Sequence, residues 1–174
     1  MNKKISKKEF LSNIGCFFDT DKFEAIEDLK ICSEKSSALI YNTNDLWLSK
    51  QQFEVLTSLV SREETLYGAQ MDSDGVYELK LPAKYEEYES LDLFSICLIS
   101  SSGFDWVIVL DEGFESGVGV LIGASDFVKK YISQYKDGLK DIYDLITFHY
   151  KDSHRNPHSI ENLIKILSLG PPFD

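Results

Sequence analysis

The sequence predicts an α+β fold in which a mostly antiparallel sheet of four to five strands is flanked by N- and C-terminal helices. The main observation is residues 93–123, where three apolar runs are separated by two turns. We expect strands at 94–100, 104–110 and 117–122, because short apolar runs bounded by turn residues are typical of a β-meander. We expect helical layers to cover one face of this sheet.

Apolar residues recur at helical spacing on both sides of the meander, which predicts the flanking helices. Ser6 with Glu9, and Ser49 with Gln52, have the spacing of a capping box, which marks a helix N-terminus. Before the meander, the predicted elements are helices over residues 7–17, 21–31 and 49–60 and strands over 37–42 and 76–81. After it, they are helices over residues 125–135, 139–149 and 157–167.

The length and composition indicate one globular domain, residues 1–174. A chain of 174 residues can bury one sizeable core and is short for two. With 43% hydrophobic and 13% aromatic residues, it has enough apolar surface to fold. Three widely spaced cysteines, no secretory signal pattern and no long apolar run lead us to expect a cytoplasmic protein with reduced thiols.

The negative charge is concentrated in the middle of the sequence. The net charge is −11, and residues 63–126 hold fourteen acidic residues against Lys80 and Lys84. A negative field repels nucleic acid and anionic membranes, so we expect neither as a partner. It also accelerates the encounter with basic proteins, although a surface that only keeps the protein soluble is the simpler interpretation.

No motif of high specificity indicates catalysis, a cofactor or a metal. Four carboxylates near the meander turns could act as general acid and base, but no histidine or activated nucleophile accompanies them. They are Asp105, Asp111, Glu112 and Glu115. His154 and His158 have one half of a zinc-finger spacing without the preceding cysteine pair. We therefore predict no catalytic residues, no metal ligands, no cofactor and no enzyme activity.

Two glycine-containing segments have simpler interpretations than ligand binding. Asp72, Asp74 and Gly75 resemble part of a calcium loop, but the twelfth loop position is Leu81, where a glutamate is needed. These residues predict a tight turn. Gly117 and the glycines after it lack the order and spacing of a phosphate loop, so they predict a strand that bends or packs closely.

The remaining candidate is a protein-binding surface made of carboxylates and aromatic rings. Carboxylates accept bidentate hydrogen bonds from arginine, and tyrosines supply contact area at low entropic cost. The predicted partner-binding residues are Tyr85, Glu86, Glu87, Tyr88, Glu89, Asp105, Asp111, Glu112 and Glu115. Nucleases are natural targets of such a surface, because their substrates require a basic cleft.

Several segments of residues 37–150 carry a family resemblance. They are Leu46-Trp47-Leu48-Ser49, Leu66-Tyr67-Gly68, Gly103-Phe104-Asp105-Trp106 and Asp111-Glu112-Gly113-Phe114-Glu115. With the small acidic α+β domain, they make the chain resemble the immunity proteins of bacterial contact-dependent growth inhibition and related polymorphic toxin systems.

The resemblance implies a cytoplasmic protein that binds and neutralises the C-terminal toxin domain of its cognate effector, often a nuclease. Two alternatives stay open. One is an adaptor that uses the same acidic surface for another basic protein. The other is a hydrolase that uses the carboxylates of the meander turns.

Overall fold

In the computed structural model, which describes residues 5–24, 26–41, 43–111 and 118–134, the fold is α+β. Within these residues, four α-helices accompany six antiparallel strands. The helices are α1 (Lys7–Ile14), α2 (Lys50–Leu59), α3 (Tyr85–Glu89) and α4 (Ser125–Gln134). The strands are β1 (Ser36–Tyr41), β2 (Thr65–Gln70), β3 (Val76–Lys80), β4 (Ile96–Ser101), β5 (Trp106–Asp111) and β6 (Val118–Gly123).

The strands form one sheet in the order β1-β6-β5-β4-β2-β3. The predicted meander is confirmed as β4, β5 and β6 at its centre, and β1 and β3 are the two edge strands. Strand β2 raises the strand number above the predicted four to five. The sequence pattern hid it, because Gly68 interrupts its apolar alternation and its neighbours are polar.

Helices and loops cover both faces of the sheet, so the prediction of one covered face was wrong. Every residue of β4 and β5 is buried, which leaves these central strands no face for water. On β5, Val107 and Val109 point to the first face, whereas Trp106, Ile108 and Leu110 point to the second.

Different segments pack on the two faces. The first face packs against α1 and the chain that follows it, through Phe10, Ile14, Phe17, Phe18, Phe23, Ile26 and Leu29. The second face packs against α2, α3 and α4, through Phe53, Leu56, Tyr88, Val128 and Tyr131. The sheet is therefore the middle of three layers.

The helix caps follow the sequence. Ser6 accepts a hydrogen bond from the backbone N–H of Glu9 at 3.2 Å. At the start of α2, the side chain of Ser49 accepts the N–H of Gln52 at 3.3 Å, and the side chain of Gln52 accepts the N–H of Ser49 at 2.8 Å. This reciprocal pair is the predicted capping box, and it satisfies two N–H groups that the helix leaves free.

The helix predicted over residues 21–31 is absent, and two short 3₁₀ turns replace it at Thr20–Lys22 and Ile26–Asp28. The carboxylate of Asp19 accepts the N–H of Asp21 at 3.3 Å, a local bond that competes with helix formation. Phe18 and Ile31 then form an antiparallel bridge. The segment buries its apolar side chains without helical periodicity.

The described glycines have the structural roles predicted for them, whereas Gly117 lies outside the described residues. Asp72 and Gly75 lie in the tight turn between β2 and β3. A Cβ on Gly119 would lie 3.0 Å from the carbonyl oxygen of Val109, so the packing of β6 against β5 requires glycine there. The helices predicted over 139–149 and 157–167, with His149, His154 and His158, lie outside the described residues.

Candidate functional site

Helix α3 carries five of the nine residues predicted to bind a partner. It is a single short helix of five residues between β3 and β4. The side chains of Glu86, Glu87 and Glu89 are exposed, whereas those of Tyr85 and Tyr88 turn toward the second face. The helix therefore separates the predicted group into an acidic outer surface and an aromatic inner surface.

Tyr88 belongs to the core, so its assignment to the partner-binding surface was wrong. It is 3% exposed, and its ring stacks on that of Phe53 with centroids 4.8 Å apart. Its hydroxyl accepts the backbone N–H of Leu48 at 2.9 Å. Burial raises the pKa of the Tyr88 phenol far above its usual range, which keeps the hydroxyl protonated.

Tyr85 is half-buried and anchors the first turn of α3. Its hydroxyl donates to the carbonyl oxygen of Leu48 at 3.0 Å, and its ring meets Phe53 edge-on at 5.9 Å. Burial raises the pKa of Tyr85; a hydrogen bond with the side chain of Asn44 lowers it, and the charge of Glu89 raises it. Together, Tyr85 and Tyr88 satisfy both backbone polar groups of Leu48, which fixes this short helix to the loop before α2.

The acidic side of α3 has no cationic partner among the described residues. The one ion pair among the described residues joins Lys22 to Asp19 at 3.4 Å, and both of these residues lie before β1. The carboxylate of Glu87 accepts the backbone N–H of Lys84 at 3.2 Å, which caps the helix. Glu86 and Glu89 thus present unpaired negative charge to solvent, on a backbone held by the core.

Asp105 and Asp111 lie far from each other. Asp105 precedes β5 and Asp111 is its last residue, so about six residue steps, or roughly 20 Å, separate their Cα atoms. Asp105 is exposed and, like Glu64, lies beside Gly103 in the β4–β5 turn. A separation of that size excludes Asp105 and Asp111 as a general acid–base pair.

Asp111 has a structural role, so its assignment to the partner-binding surface was wrong. It is 6% exposed, and its carboxylate accepts the N–H of Ile26 at 3.1 Å. A buried carboxylate needs such a donor, and here the bond ties a 3₁₀ turn to the end of β5. Glu112 and Glu115 lie outside the described residues and stay predictions.

A polar cluster beyond the end of α3, which sequence reasoning missed, holds the chain that enters β4. The side chain of Gln70 donates to the carbonyl oxygen of Asp92 at 2.7 Å, and the hydroxyl of Tyr77 donates to the same oxygen at 2.8 Å. Gln70 is fully buried at the end of β2. A buried glutamine has no distinctive sequence pattern; only recognition of β2 would have placed it opposite Cys97 on β4.

The clefts among the described residues are either small or shallow and open to solvent. An apolar cleft beside Gly68, between β2–β3 and α3, has a volume of about 20 Å³, which is too small for a drug-sized molecule. In the described part of the chain, no three His, Cys, Asp or Glu residues group closely enough to hold a metal ion. No helix within the same residues is long and apolar enough to cross a membrane.

Comparison with known proteins adds no relative. No protein-family model, curated protein or solved structure matches this chain.

Proposed function

We propose that this chain is a cytoplasmic immunity protein that binds and neutralises a basic toxin domain, with α3 at the centre of its binding surface. The main support for the proposal is that the carboxylates of Glu86 and Glu89 are available to a partner. Both carboxylates are exposed and form no ion pair with any described residue. They stand on a helix whose other side is anchored by two tyrosine hydroxyls.

This arrangement favours a basic protein partner on physical grounds. An exposed carboxylate without an ion pair can accept an arginine fork bidentately, and it loses no existing pair when it does so. Because Tyr85 and Tyr88 already fix the helix, binding orders less of the chain and costs less entropy. The half-buried ring of Tyr85 offers contact area next to Glu89.

The charge distribution supports the same class of partner. Twelve of the fourteen acidic residues in 63–126 lie in the described part of the chain. A field of this sign accelerates association with basic domains, of which nucleases are the prime example, and the acceleration falls as ionic strength rises.

Affinity capture of the tagged protein from its native lysate, at low and high salt, tests the proposal. We expect one basic domain at unit stoichiometry, and we expect co-expression of the chain to abolish the toxicity of that domain. Glu86→Lys/Glu89→Lys should slow association with the isolated domain at least about tenfold. Glu87 is left unchanged because it caps the helix.

The matched control is Glu24→Lys/Glu34→Lys, which makes the same charge change on exposed residues of the segment that covers the first face. It should keep most of the association rate. Equal loss in both variants would mean that total charge alone governs binding, and α3 would be excluded as the centre. Recovery of a basic protein that is not toxic would favour an adaptor over an immunity protein.

A further inference from the structure

Edge strand β3 presents on its outer side backbone groups that pair with no other described strand. Leu81 donates its N–H to the carbonyl oxygen of Glu64 at 3.1 Å, and Tyr77 and Leu79 share its orientation toward β2. The N–H and C=O groups of Val76, Glu78 and Lys80 therefore point away from β2. Among the described residues, no strand pairs with them.

Successive side chains of β3 point to opposite faces of the sheet, so the register of a pairing strand decides which of them meet. Glu78 and Lys80 are exposed on the first face, whereas Tyr77, Leu79 and Leu81 are half-buried on the second. One oxygen of the Glu78 carboxylate accepts the N–H of Ile5 at 3.3 Å. Lys80 is the basic residue on the edge, opposite in charge to its neighbour on the same face.

We infer that β3 pairs with β3 of a second copy of this chain, in an antiparallel arrangement whose twofold axis passes through Leu79. In this register, Glu78 lies opposite Lys80 of the second copy, and Tyr77 lies opposite its Leu81. Leu79 meets its own symmetry mate. Each Glu78–Lys80 pair exchanges both backbone hydrogen bonds, because these residues carry the outward-pointing groups.

Charge selects this register over its neighbours. An axis through Glu78 would place the two glutamates directly opposite each other, and an axis through Lys80 would do the same with the two lysines. Like charges directly opposite each other are unfavourable, whereas opposite charges and apolar pairs are stabilising. The register with its axis through Leu79 is self-complementary, as an isologous dimer requires.

The interface is small, so the dimer is expected to be weak. Five residues on each side form the strand pair, which places it in the class of transient contacts. The net charge of −11 opposes self-association. At about 0.15 M ionic strength, charges farther apart than about 8 Å are largely screened, while the adjacent Glu78–Lys80 pairs are screened less.

Sedimentation equilibrium over a range of protein concentration at about 0.15 M salt tests the inference. The weight-average mass should rise from 19.9 kDa toward twice that value. Glu78→Lys and Lys80→Glu alone should each weaken association at least about tenfold, because each places like charges opposite each other twice. The double variant Glu78→Lys/Lys80→Glu should restore the dimer, since it only exchanges the two partners.

Amide hydrogen exchange locates the contact. The amides of Glu78 and Lys80 should become more protected as the concentration rises, and should do so in the wild type and in the double variant. A wild type that stays monomeric overturns the inference, as does a dimer that both single variants retain. Protected Glu78 and Lys80 amides in a monomer would show that the same chain covers this edge, which also overturns it.

Discussion

The layers that cover the two faces of the sheet are held in place by different groups. On the first face, charged side chains bond the backbone of the other layer: the carboxylate of Asp111 accepts the N–H of Ile26, and the ammonium of Lys7 donates to the carbonyl oxygen of Met71. On the second face, tyrosine hydroxyls bond the backbone, as Tyr88 and Tyr85 do at Leu48.

The difference explains how so short a helix as α3 holds its position. Five residues cannot sustain a helix in water, so its stability must come from tertiary contacts. A tyrosine ring packs in the core while its hydroxyl satisfies a backbone group of another segment. The acidic outer surface of α3 is therefore coupled to the core through Phe53, which contacts both tyrosine rings.

The largest expected effect comes from removing one buried ring from each face. Phe53→Ala and Phe10→Ala should each lower the free energy of unfolding by about 3–5 kcal/mol, because both side chains are almost fully buried. Only Phe53→Ala should also loosen α3. Chemical denaturation measures the first effect, and hydrogen exchange of the Ser90 amide, which donates to Glu86, measures the second. Equal exchange in the two variants would refute the coupling.

A smaller effect is expected from the two hydroxyls that bond Leu48. Tyr88→Phe leaves the N–H of Leu48 buried without an acceptor, so it should cost about 1–3 kcal/mol of stability. Tyr85→Phe frees the carbonyl oxygen of Leu48, but the side chain of Tyr85 is only half-buried, so water can reach the place of its hydroxyl, and the change should cost less than about 1 kcal/mol. Urea denaturation of both variants tests the order. A reversed order would mean that Tyr85 is the main anchor.

The sequence predicted the centre of the sheet better than its borders. The apolar runs of β4, β5 and β6 are unambiguous because these strands are buried on both sides. The sequence does not indicate strand β2, because Gly68 breaks its pattern. It predicts a helix in place of the 3₁₀ turns, because the apolar spacing around Phe23 fits both. Local sequence patterns of this kind contain no information about which tertiary contacts form.

The candidate site, too, was only partly predictable from local sequence patterns. The sequence indicated α3 as a charged aromatic segment, and the exposure of Glu86 and Glu89 agrees with that indication. It did not separate Tyr88 from the surface, because a tyrosine between glutamates has the same pattern whether its ring is buried or exposed. Nor could it show that Asp105 and Asp111 lie at opposite ends of one strand, since that distance depends on where β5 begins and ends.

The smallest expected effect is a dependence of stability on alkaline pH that arises on the second face. Burial raises the pKa of Tyr88 in the folded protein, from the value of 10.0 that it has when exposed. Below about pH 10, the phenol is protonated in both states, so its contribution to stability is complete. As pH rises further, the unfolded chain releases this proton while the folded chain keeps it, and stability falls by up to about 1.4 kcal/mol per pH unit.

Tyr88→Phe should therefore reduce the loss of stability between pH 9.5 and about pH 11, measured as urea midpoints at each pH. Tyr85→Phe is the matched control. The pKa of Tyr85 is also raised, but this side chain is only half-buried, so its removal should change the slope less. If both variants keep the wild-type slope, the alkaline sensitivity comes from elsewhere, for example from Tyr67, whose pKa is raised by burial, Glu78 and Glu9. Tyr67 packs on the first face, so Tyr67→Phe would then test that origin.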